Sequence, residues 1–151
     1  MKKFLLLSLI CLAAIQPVGA GTRSRTHPPI KVPQKTKSLT GTYRNRWSEF
    51  KIQALGVNRL RVQFNGSYQY KTGGQLMANT GTADAVATLK DNVATFAPTD
   101  TQGCQITLTF AGQKLTVKQT GSDADCGFGH NVKADGTYLK KNSRPPKFTE
   151  R

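Results

Sequence analysis

Few side chains in this chain are able to do chemistry. Its 151 residues include two histidines, eight carboxylates and three cysteines. The densest reactive group is Asp123, Asp125, His130 and Asp135. His130 beside Asp125 or Asp135 is the one base pairing on offer, and a hydrolase uses such a pair to activate a hydroxyl or a water. No serine stands in a recognisable elbow to receive it. Glu49 is the only glutamate between residues 40 and 139, so the flanking carboxylates of a glycosidase are not evident. Asp123, Asp125 and Asp135 offer oxygens to calcium, but the other spaced ligands and the terminal Glu of a calcium loop are missing. Aspartates in a Gly-rich stretch ordinarily serve turns. His27 lies far off among prolines, which leaves zinc without a ligand cluster. The expectation is a protein without catalysis, metal or cofactor.

The cysteines are more informative. Residues 1–20 read as a secretory leader: Lys2 and Lys3, an apolar run from Phe4 to Ile15, then small Val18 and Ala20 before a cut. The apolar run is shorter than a bilayer requires, and bulky Ile10 before Cys11 argues against a lipoprotein. Export to the periplasm or beyond is expected, with no membrane span after cleavage. Cys11 leaves with the leader. Cys104 and Cys126 remain, and in an oxidising compartment they are expected to bond. Closing that loop contributes roughly 3 kcal/mol on chain-entropy reasoning.

Charge divides the mature chain. The formal net charge is +14, of which Lys2 and Lys3 leave with the leader. Residues 21–39 carry five Lys/Arg and no acid; residues 140–151 carry five against Glu150; residues 40–139 carry ten against seven. Most of the excess sits in two Pro-containing tails, 21–39 and 141–151, which are expected to be disordered or extended. Such tails are drawn to polyanions such as an anionic envelope polymer or a lipid surface.

Between the tails, residues 40–140 alternate with period two. Thr42–Arg46, Glu49–Leu55, a long run from Leu60 to Tyr70, Thr80–Lys90, Val93–Ala97, Cys104–Phe110, Leu115–Gln119 and Gly136–Lys140 read as strands. Residues 56–58, 91–92 and 111–113 read as turns, and 72–79 as a loop. Asp91-Asn92 suits a two-residue hairpin turn, because both residues tolerate positive φ. No stretch has the period of an amphipathic helix. The fold expected is all-β, an antiparallel meander of eight or nine strands, closed as a small barrel in preference to a sandwich. Gly-Ser/Thr-Tyr recurs at 41–43, 66–68 and 136–138, and a Gly beside a ring lets a sheet bend sharply.

Residues 40–149 carry the run Gly121-Ser-Asp-Ala-Asp-Cys-Gly-Phe-Gly129 followed by Asp135-Gly-Thr-Tyr138. On these residues the chain resembles a family of small exported bacterial β-proteins of unassigned function. The expected architecture is also similar to small calycin-like barrels, a group that includes carriers and some periplasmic inhibitors. That second likeness is architectural and does not carry function.

Two surfaces remain as binding candidates. Tyr43, Phe64, Tyr68, Tyr70, Phe96 and Tyr138 fall on the inward face and would line a pocket for a small apolar ligand, or fill a core. Arg44, Arg46, Lys51, Arg59 and Arg61 would form a basic outer stripe beside Trp47 if the first three strands are neighbours. Nucleic acid is not the expected partner of an exported chain. The reading is a non-catalytic binding protein of the cell envelope, whose barrel makes the specific contact while its tails meet anionic surfaces. The alternatives are a lipocalin-like carrier of an apolar ligand and an inhibitor of an exported hydrolase such as lysozyme. The inhibitor ranks lower, because a basic chain repels a basic enzyme.

Overall fold

The computed structural model describes residues 36–149. The expected leader and residues 21–35 of the expected N-terminal tail lie outside them. Eight strands follow one another: β1 (Gly41–Arg44), β2 (Ser48–Gly56), β3 (Arg59–Thr72), β4 (Gln75–Lys90), β5 (Val93–Phe96), β6 (Gln105–Ala111), β7 (Lys114–Thr120) and β8 (Gly136–Asn142). Each pairs antiparallel with the next, and β8 pairs back with β1, so the sheet closes as a barrel rather than a sandwich. Period-two alternation is the cause. In β6, Ile106, Leu108 and Phe110 are buried; in β7, Leu115, Val117 and Gln119 are buried; the residues between them face outward.

Eight strands enclose a space that side chains fill. Phe50 lies 5.0 Å from Phe64 and 4.9 Å from Tyr138, ring centre to ring centre. Phe64 lies 5.1 Å from Phe128, and Tyr43 lies 6.0 Å from Phe110. The inward aliphatics Ile52, Leu60, Val62, Ile106, Leu108 and Leu115 are fully buried around them.

The two ends of the barrel are built differently. At one end the strands reverse through residues 57–58, 91–92 and 112–113. Asp91 and Asn92 both have positive φ, at 50° and 67°, as a tight hairpin turn requires. This end is covered by a 3-10 turn, Thr36–Leu39, whose Leu39 is fully buried. Residues 36–39 were expected to belong to the disordered tail. Instead the last apolar residue before the sheet is drawn into the core, where a buried leucine contributes about 1.5–3 kcal/mol.

At the other end stand the β1–β2 turn (45–47), the β5–β6 loop (97–104) and the long β7–β8 loop (121–135). The loop expected at 72–79 is not there. β3 and β4 run on past the barrel wall, paired as far as Thr72 with Gln75, and reverse at Gly73-Gly74. The stretch Gln75–Asn79 has no clear alternation to announce a strand. Two adjacent glycines at φ 55° and 80° supply the tight turn that lets the pairing continue.

Two of the three Gly-Ser/Thr-Tyr copies prove to be one device. Gly41 and Gly136 open β1 and β8 at φ 147° and 138°, values that suit glycine. In each copy the tyrosine two residues on is fully buried and donates its hydroxyl to the carbonyl four residues back. Tyr43 Oη reaches Leu39 O at 3.0 Å, and Tyr138 Oη reaches Ala134 O at 2.8 Å. Burial pushes both hydroxyls up to about 12 from 10.0. Because β1 and β8 are antiparallel, one corner sits at each end of the barrel.

The C-terminal segment 143–149 has no regular secondary structure, and its end is held on the barrel. Gln63 on β3 donates Nε2 to Thr149 O at 2.9 Å and accepts from Thr149 N at 3.0 Å. Phe148 lies under the Arg61 guanidinium, 4.1 Å from its carbon to the ring centre.

Candidate functional site

The long-loop end gathers the features that do not serve packing. Its frame is the β7–β8 loop. Cys104 and Cys126 are bonded, S–S 2.02 Å, and tie this loop to the start of β6. Within the loop the carboxylates serve turns. Asp125 accepts from Ser122 N and Ser122 Oγ, both at 2.8 Å. Asp123 accepts from Ala124 N at 2.9 Å and from Asn131 N. These donors hold both carboxyls below the usual carboxylate range. Gln119, buried in β7, donates to Gly121 O and accepts from Ala134 N; Asp135 accepts from Gln119 N.

So sewn, the loop lowers Phe128 into the barrel mouth. The ring lies against Gly81, where a Cβ would come within 2.8 Å of it. Gly81 pairs with Gly66 on β3, where a Cβ would strike the Phe64 ring. This glycine pair seats the two rings, and Gly129 N donates to Thr80 O at 2.9 Å just beyond them.

The six aromatic residues expected to form one inward set are divided by this plug. Tyr43, Phe64, Phe96 and Tyr138 lie below it, buried in the core. Tyr68 and Tyr70 keep the same strand face but stand above it, on the part of β3 that overhangs the barrel. Tyr68 is 41% exposed. Their ring centres are 6.2 Å apart and their planes within 21°. Across from them are His130 and Asn131 of the β7–β8 loop. Asn79, paired with Tyr68 across the hairpin, donates Nδ2 to His130 O at 2.8 Å. These five residues line an open groove of about 470 Å³. The carboxylate beside His130 is Asp123, with Nδ1 3.7 Å from Oδ2, in place of the expected Asp125 or Asp135. Among the described residues no three His, Cys, Asp or Glu converge as a metal site.

The expected basic stripe is assembled in part, because β1, β2 and β3 are neighbours. Much of its charge is paired. Arg44 and Lys51 both meet Glu49, Lys51 at 3.7 Å. Arg61 meets Asp84 at 3.2 Å. Arg46 stacks on Trp47 at 4.6 Å and, with Asn45, Ser48 and Asn65, borders a second, smaller groove of about 260 Å³. Asn45 shapes this turn by accepting from Trp47 N and Ser48 N. Arg59 is exposed on the outer wall.

Compared with protein-family models, curated proteins and solved structures, the chain matches none. The groove is therefore read from its own chemistry.

Proposed function

We propose that this chain is an exported, non-catalytic binding protein of the cell envelope, making its specific contact at the long-loop end of the barrel. The observation that carries this reading is the division of the aromatic set. The rings that would have lined an interior cavity pack on one another, while Tyr68 and Tyr70 are held open beside polar loop residues. A carrier needs room inside, and the packed rings give that alternative no support. The positive charge supplies attraction to anionic polymer or lipid without specificity.

The test is retention of the mature protein on isolated envelopes across a salt series. Retention should fall steeply as the Debye length shrinks. Removing residues 21–35 should weaken it further at low salt. Retention indifferent to both salt and that truncation would sink the reading.

A further inference from the structure

We propose that the Tyr68/Tyr70 groove is a glycan site that takes a ring of an N-acetylhexosamine polymer. The proposal deepens the envelope reading above and rests on it.

The lining decides the ligand class. None of the five lining residues is Lys or Arg, so the groove is not built for a bare anion. Three of the five are Asn or His, so it is not built for a purely apolar molecule either. A sugar ring combines what the two walls offer. Its C–H face is polarised positive by the ring oxygens and suits the negative faces of two near-parallel phenols. Its edge is a row of hydroxyls that both donate and accept, as the amides of Asn79 and Asn131 and the imidazole of His130 do. An acetamido substituent narrows the class. It carries one N–H and one C=O, which a side-chain amide matches one for one. Asn79 spends one donor on His130 O, and its Oδ1 is left to accept.

The groove is also set in advance. The wall bearing His130 and Asn131 is fixed by the Cys104–Cys126 bond, by Asn131 N donating to Asp123 and by Gly129 N donating to Thr80 O. A site fixed before its ligand arrives pays little ordering entropy. The overhang meanwhile lies outside the ring of strands that closes the barrel: Ser67 N still donates to Trp47 O of the β1–β2 turn, but residues 68–72 of β3 pair only with β4. Barrel closure therefore does not call for its aromatic face, which a ligand would use.

The experiment is a nuclear magnetic resonance titration of the labelled mature chain with a soluble N-acetylglucosamine oligosaccharide. It is run at high salt, so that charge-driven adsorption is screened. Saturable shifts are expected at the side-chain amides of Asn79 and Asn131 and at the rings of Tyr68 and Tyr70, with Tyr43 unmoved. Tyr70→Ala should weaken binding roughly tenfold or more, and sorbitol, which has hydroxyls but no ring, should cause no shift. Tyr68→Ala is the second variant, and retained core signals in either show that the barrel is folded. No saturable shift, or shifts unchanged in both variants, overturns the proposal. So does a self-association that the variants abolish, which would assign the face to a second copy. Salt-sensitive envelope retention without groove shifts removes the glycan site and leaves the envelope reading. Groove shifts without retention do the reverse.

Discussion

The two ends of the barrel solve one problem twice. Each must be stopped against water, and each uses a Gly-Thr-Tyr corner with the tyrosine hydroxyl on the carbonyl four residues back. At the tight-turn end the stopper is Leu39, delivered by a single 3-10 turn directly before β1. At the other end it is Phe128, delivered by a long loop that needs a disulfide, a buried Gln119 and two aspartates to hold it. The second solution uses many more residues, and beside it stand an overhang and a groove. Closure alone does not require them. The proposed binding site lies at the end where the stopper is elaborate.

The comparison can be broken most severely with base, which acts on both ends together. Tyr43 and Tyr138 hold their protons to about 12 in the fold, against 10.0 ordinarily. The unfolded chain therefore releases these protons first. Stability is intact below about pH 10 and is lost as pH rises from there towards 12. Alkaline unfolding followed by circular dichroism and tyrosinate absorbance should show two tyrosines ionising together with the loss of the sheet. Ionisation of all four tyrosines well before unfolding would refute it.

The next effect separates the ends. Replacing Cys104 and Cys126 together by Ser should cost roughly 3 kcal/mol in chemical unfolding. Hydrogen exchange should accelerate in 121–134 more than in 57–58 or 112–113. Equal acceleration everywhere would mean that the stopper is not a local device. Gly81→Ala should follow at about 1–3 kcal/mol, since its Cβ meets the root of the Phe128 ring and not a flexible tip. Tyr43→Phe and Tyr138→Phe should each cost about 1–3 kcal/mol by leaving a buried carbonyl unpaired, and similar values would confirm that the corners are equivalent. Glu49→Gln is the smallest, within about 1 kcal/mol of stability. It releases Arg44 and Lys51 and should raise the salt needed to elute the protein from anionic vesicles.

The tight-turn end was the more legible from sequence. Its turns, at 57–58, 91–92 and 112–113, fall between runs whose alternation is local, so neighbouring residues suffice to read them. The disulfide was legible for a similar reason, because Gln105 pairs with Thr120 and brings Cys126 near Cys104. The groove was not. Its walls meet through a bond from Asn79 to the carbonyl of His130, 51 residues away, and no local pattern encodes that contact. Alternation placed Tyr68 and Tyr70 on the correct strand face but did not reveal that the barrel stops at Gly66, below them. The nearest signal was Gly66 opposite Gly81: two glycines on one inward face mark where a ring from elsewhere must enter. Leu39 and Phe148 were missed because proline and charge dominate the composition around them, while burial depends on a single side chain.

The clasp of Thr149 and Phe148 on β3 changes what the C-terminal cations are. Arg144 and Lys147 lie between an anchor on β1, where Asn142 pairs with Thr42, and an anchor on β3. They form a rail across the outer wall instead of a cloud around a loose thread. A loose thread tethers a molecule and lets it tumble. Under the proposed envelope binding, a molecule held through a rail would settle the same way up each time, and β3, which ends the rail, is also the strand that carries Tyr68 and Tyr70.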